Sequence, residues 1–151
     1  MITNKNIKPN SAVPKLLKIA LIIPAAGAFL IALHFLAQHN YLLFHSLVEF
    51  YSITIAGSLF IITWHSRQYI QQDYLKIIGL AYFFIALLDL LHTLSYKGMN
   101  IFTDYDFYAN QVWIATRLFE SLVLLVAFSL SHWRNRLSST ALIGLFATIT
   151  A

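Results

Sequence analysis

Residues 74–96 read Tyr-Leu-Lys-Ile-Ile-Gly-Leu-Ala-Tyr-Phe-Phe-Ile-Ala-Leu-Leu-Asp-Leu-Leu-His-Thr-Leu-Ser-Tyr, and the rest of the chain can be interpreted from this run. As a helix it rises roughly 35 Å, enough to cross a hydrocarbon core of about 30 Å. Its second half nevertheless carries Asp89 and His92. An ionisable side chain at membrane depth costs several kcal/mol unless it is paired or wetted, so such residues point to function.

Two more apolar stretches repeat the pattern. His45-Ser-Leu-Val-Glu49 lies near the start of the span at residues 41–64, and Trp113-Ile-Ala-Thr-Arg117-Leu-Phe-Glu120 near the start of the span at 112–131. Spacing puts each set on one helix face: His45 and Glu49 are i,i+4, Asp89 and His92 are i,i+3 and are extended by Tyr96, and Trp113, Arg117 and Glu120 are i, i+4, i+7. Counting from the span ends places all six ionisable groups roughly 6–12 Å below one membrane surface. Pointing at lipid they would be prohibitively placed, so they are expected to face one another.

Composition agrees with a membrane protein. The 151 residues are 59% hydrophobic and 11% charged, less than half the charged fraction of an ordinary soluble domain. Cysteine is absent, which excludes disulfides and thiolate metal sites. The formal charge of +4 is dispersed over loops, so it gives no support to nucleic-acid binding. It reads instead as a topology signal. Residues 1–18 are polar and basic and are expected to form a cytoplasmic tail, followed by a first span at 19–37 in which Pro24 introduces a kink or a close helix approach. Spans two, three and four follow at 41–64, 74–96 and 112–131. A fifth apolar stretch begins at residue 141 and is too short to cross a bilayer. The fold expected is an all-α polytopic transmembrane helical bundle of four complete spans and a truncated fifth. Eight of the ten Lys and Arg fall on the side of the N-terminal tail and of the loops after spans two and four. The N-terminus is therefore expected inside and residues 38–40 and 97–111 outside. Gly98, just past span three, suits a left-handed helix cap.

Charge arithmetic sharpens the polar layer. Ionised Glu49, Asp89 and Glu120 against Arg117 leave −2, which a low-dielectric site tolerates only with raised carboxyl pKa values, protonated histidines or a bound cation. His45, Glu49, Asp89 and His92 offer a sulfur-free set suited to zinc, iron, manganese or copper. Bis-histidine haem ligation by His45 and His92 is geometrically conceivable. Two other readings remain open: a network that locks the helices together without binding anything, and an ion or proton pathway. The pathway lacks a polar continuation through the other half of the spans.

The runs at residues 44–52, 79–82, 88–99 and 111–121 resemble the motifs of the third type of membrane-associated sensor domain (the MASE group), over about residues 40–130. The resemblance implies a bacterial inner-membrane input module that precedes a histidine kinase or a cyclic-di-GMP enzyme, with no catalysis of its own and with dimerisation through the full-length protein. On this basis residues 19–151 are expected to be a C-terminally truncated sensor domain lacking its output region. The motif positions carried over are His45, Glu49, Asp89, His92, Tyr96, Lys97, Gly98, Trp113, Arg117 and Glu120, all but Gly98 being candidate ligand-binding residues for a small molecule or ion. A metal- or haem-binding redox protein and a transporter fragment are the rival functions.

Overall fold

The computed structural model describes residues 12–130 and 138–151, with side chains from residue 20 onward. The expected basic turn at 133–136 and the first part of the N-terminal tail lie outside these residues. Every regular element described is helical: α1 (Ala12–His39), α2 (Tyr41–Ser66), α3 (Asp73–Leu94), α4 (Tyr108–Ser129) and α5 (Ser139–Thr150), with a 3-10 turn at Lys97–Met99. Four helices are long and apolar enough to cross a membrane, at Ala20–His39, Tyr41–Ser66, Asp73–Leu94 and Tyr108–Ser129. α5, at 12 residues, is shorter. The described residues are therefore all-helical, with four span-length helices and a shorter fifth, as expected.

The chain separates into two compact units, Met1–Phe44 and His45–Ala151. In the first, α1 starts at Ala12, ahead of the expected boundary at 19, so the second part of the expected tail is helical. Pro14 falls in the opening turn, where no intrahelical N–H bond is required. α1 also continues through Pro24 without interruption. Asn40 alone connects α1 to α2, and its Oδ1 accepts the Leu43 N–H at 3.0 Å as an N-cap.

The second unit is built on α3. Half of its span (50%) is buried, against 22% for α4 and 11% for α2, which makes it the central helix. Its apolar stripe, Ile77, Leu80, Ala81, Phe84 and Ile85, packs on Phe119, Val123 and Ala127 of α4 and on Leu142 and Phe146 of α5. The spacing i, i+3, i+4, i+7, i+8 is that of one helix face. α4 runs antiparallel to α3, with Tyr74 on Phe128 near one end and His92 on Ala109 near the other. α2 is antiparallel on another side, with Phe60 on Phe83 and His45 on His92.

Hydroxyls inside the helices are satisfied locally, as a water-poor surrounding requires. Thr54, Ser58, Thr93, Thr116 and Ser121 each donate to the carbonyl four residues back at 2.7–2.8 Å. Large apolar side chains such as Phe29, Phe35, Ile62 and Leu125 remain exposed, the surface a helical bundle offers to lipid.

One expectation needs correcting. The left-handed residue after α3 is Asn100 (φ 54°), which caps the 3-10 turn; no described glycine has positive φ, so Gly98 is not the cap. Asparagine tolerates this conformation better than other non-glycine residues because its side chain can hydrogen-bond locally.

Gly79 is needed for a different reason. A Cβ there would overlap the Thr63 side chain, so the absence of one lets α2 approach α3. Gly79→Ala is expected to lower the stability of the detergent-solubilised protein by about 1–3 kcal/mol through this overlap. Thermal unfolding followed by size-exclusion recovery checks it; an unchanged midpoint removes the close-approach argument.

Candidate functional site

The polar groups converge at the end of the second unit where α3 finishes and α4 begins, and they do so as two adjoining sets. In the first, Arg117 of α4 is the hub. Its Nη2 donates to Asp89 Oδ1 of α3 at 2.5 Å, and its Nη1 donates to Glu120 Oε2 one turn along at 2.7 Å. Asp89 is buried, with 3% of its surface exposed, so this pairing offsets the cost of placing a carboxylate on the central helix. The fork geometry is what arginine supplies and lysine does not. Tyr82 completes the set by donating its hydroxyl to Glu120 Oε1 at 2.9 Å. Arg117 Nε is buried and makes no hydrogen bond among the described residues.

The second set is His45 and Glu49 of α2 with His92 of α3. The i,i+4 spacing projects His45 and Glu49 from one face of α2. Potential ligand atoms from all three lie within 4.8 Å of one another. His92 Nε2 sits 3.8 Å from Glu49 Oε1. The His45 and His92 rings meet edge to face at 5.5 Å, and Tyr96 tilts against His45 at 4.5 Å. His92 is 7% exposed, and its Nδ1 lies 2.9 Å from the Ala109 carbonyl. A carbonyl only accepts, so Nδ1 carries the proton and donates it. That assignment aims Nε2 at Glu49.

Of the nine candidate residues, seven thus fall into these sets: His45, Glu49, His92 and Tyr96 in one, Asp89, Arg117 and Glu120 in the other. Asp89, grouped by spacing with the possible metal ligands, is instead engaged by Arg117. Lys97 pairs with Asp106 at 2.6 Å on the exposed connection, away from both sets. Trp113 is half exposed on the surface of α4. Sequence reasoning left out Tyr82 and the Ala109 carbonyl. Tyr82 could have been found, because it precedes Asp89 by seven residues and so shares its face; a backbone carbonyl leaves no trace in side-chain patterning.

The geometry separates the cofactor options. Two imidazoles in edge contact leave no gap for a macrocycle between them, so His45 and His92 as placed do not fit haem as paired axial ligands. A single ion is compatible, as ligand atoms about 2.1 Å from a metal lie roughly 3–4 Å from each other. A cleft of about 340 Å³ also opens beneath the α3–α4 connection, lined by Leu91, Ser95, Phe102, Asp104, Tyr108 and Val112. None of the nine candidates lines it.

A family model described as a membrane-associated sensor domain, MASE3, matches residues 36–151. No curated protein and no solved structure matches the chain.

The Arg117 hub makes a stability prediction. Arg117→Met leaves Asp89 buried and unpaired and is expected to cost about 3 kcal/mol, whereas Asp89→Asn with Arg117→Met recovers most of that loss. Unfolding midpoints of the two purified variants in the same detergent are the test; equal losses would show that the pair does not hold α3 to α4.

Proposed function

Because the chain belongs to the family of membrane-associated sensor domains, MASE3, we propose that it is the membrane-embedded input domain of a bacterial signalling protein whose output is a histidine kinase or a cyclic-di-GMP enzyme. The domain itself performs no catalysis. The observation that carries the reading is the pair of polar sets meeting on one central helix, His45–Glu49–His92 and Asp89–Arg117–Glu120. α2 belongs to the first and α4 to the second, while α3 belongs to both. A stimulus that changes the occupancy or charge of this layer shifts α2 and α4 relative to α3. Helix displacement is a form in which a signal can cross a membrane to a dimeric output. A ligand can drive that shift only through different affinities for the two packings.

The distribution of basic residues supports a location in the inner membrane with the N-terminus cytoplasmic, which puts the polar layer in the outer leaflet. A transport role is disfavoured by the far half of the bundle. Residues 50–64, 77–88 and 121–130 carry no Asp, Glu, Lys, Arg or His, and the core there is Ile77, Leu80, Phe84 and Val123. An ion or proton path would need polar groups to continue through it.

Glu49→Gln and His92→Ala are expected to abolish regulated output of the full-length protein while leaving membrane insertion at wild-type levels. Kinase or cyclic-di-GMP activity in isolated membranes, beside a membrane-fraction immunoblot, decides it. Normal regulation in both variants would reduce the layer to a structural lock.

A further inference from the structure

The charges of the two polar sets do not balance each other. Arg117 is engaged by Asp89 and Glu120, so the positive charge on the facing helix is already satisfied. Glu49 faces the two imidazoles and lies within electrostatic reach of Arg117, without an ion pair to it. With Nδ1 of His92 donating to the Ala109 carbonyl, its Nε2 faces the Glu49 carboxylate. Two acceptors facing each other across 3.8 Å repel unless a positive centre lies between them. That distance is too long for a direct N–H···O hydrogen bond. Nor does a protonated His92 explain why a third ligand-type atom, from His45, occupies the same small volume.

We propose that His45, Glu49 and His92 form a binding site for one divalent transition-metal ion, each contributing one ligand atom. Three further features agree. The doubly charged ion cancels the −2 left when Glu49, Asp89, Glu120 and Arg117 are ionised and both histidines are neutral. The Nδ1–H to carbonyl bond of His92 is the outer-shell contact that fixes the tautomer and orientation of a metal-bound imidazole. The donor set of two nitrogens and one carboxylate oxygen suits zinc and its neighbours, and the nitrogens select against calcium and magnesium. Three protein ligands leave at least one position for water or a small molecule. The ion ties α2 to α3 near one end of α2, while Gly79 and Thr63 set their approach near the other. The signalling role of the ion rests on the sensor reading above; its binding does not.

The test uses the whole chain in lipid nanodiscs, with any polyhistidine tag removed. Zinc titrated against a competing chelator is expected to bind at one equivalent per chain. Glu49→Gln, His45→Ala and His92→Ala should each weaken it at least about 100-fold, while His39→Ala and His65→Ala, on exposed histidines outside the site, leave it unchanged. Cobalt loading should give the visible d–d bands of an inner-sphere site in the wild type and not in Glu49→Gln. Variants that elute and unfold as the wild type yet bind zinc equally well would overturn the proposal, as would zinc lost equally on removing His39. A second arm separates the two claims. If Glu49→Gln silences the full-length protein's output while neither form binds zinc, the metal site falls and the sensor reading stands. If zinc binds through all three residues but removing it by chelation leaves output untouched, the site stands and the metal is not the signal.

Discussion

A carboxylate on the most buried helix of a membrane bundle must have a cation within reach, and the arrangement of the second unit follows from that requirement. Asp89 lies on α3 with almost no exposed surface, and Arg117 of α4 meets it at 2.5 Å. Lipid does not drive helices together as water does, so packing and polar contacts decide which faces meet. The ion pair fixes one contact between α3 and α4, while Phe119, Val123 and Ala127, spaced i, i+4, i+8 on another side of α4, meet the Ile77–Leu80–Phe84 stripe. Fully buried Thr93 and Thr116 add contacts without unsatisfied hydroxyls, because each bonds its own helix.

The same pair also sorts the polar layer chemically. Three carboxylates and one guanidinium can be grouped in several ways, and only some leave a functional remainder. By engaging Asp89 and Glu120 together, Arg117 leaves Glu49 with the two histidines. One half of the layer is then a helix lock, and the other is the set proposed above to hold an ion. The structural network and the proposed site are neighbours sharing α3 rather than competing descriptions of the same residues.

The aromatic and glycine positions serve this arrangement from outside it. Tyr82 of α3 buttresses Glu120, and Tyr96, just past the end of α3, leans on His45, so a tyrosine borders each set. Gly79 and Thr63 set the approach of α2 near the far end of α3. The exposed Lys97–Asp106 pair clips the connection between α3 and α4 without entering the layer.

Helix number and span positions were legible in the chain itself. Hydropathy and 3.6-residue spacing are local properties that survive without knowledge of neighbours. The convergence of His45, Glu49, Asp89, His92, Arg117 and Glu120 was legible for the same reason, since lipid removes the option of facing outward. Which carboxylate from another helix meets the arginine was not: Glu120 lies i,i+3 from Arg117 on its own helix, but Glu49 and Asp89 are alike in charge and in distance from a span end, and only the packing of α3 against α4 distinguishes them. Nor could a sequence disclose that a backbone carbonyl at Ala109 orients His92, or that Asn100 rather than Gly98 takes the left-handed turn. Those outcomes depend on where three helices come to rest against each other, a balance of many non-local contacts that no single segment encodes.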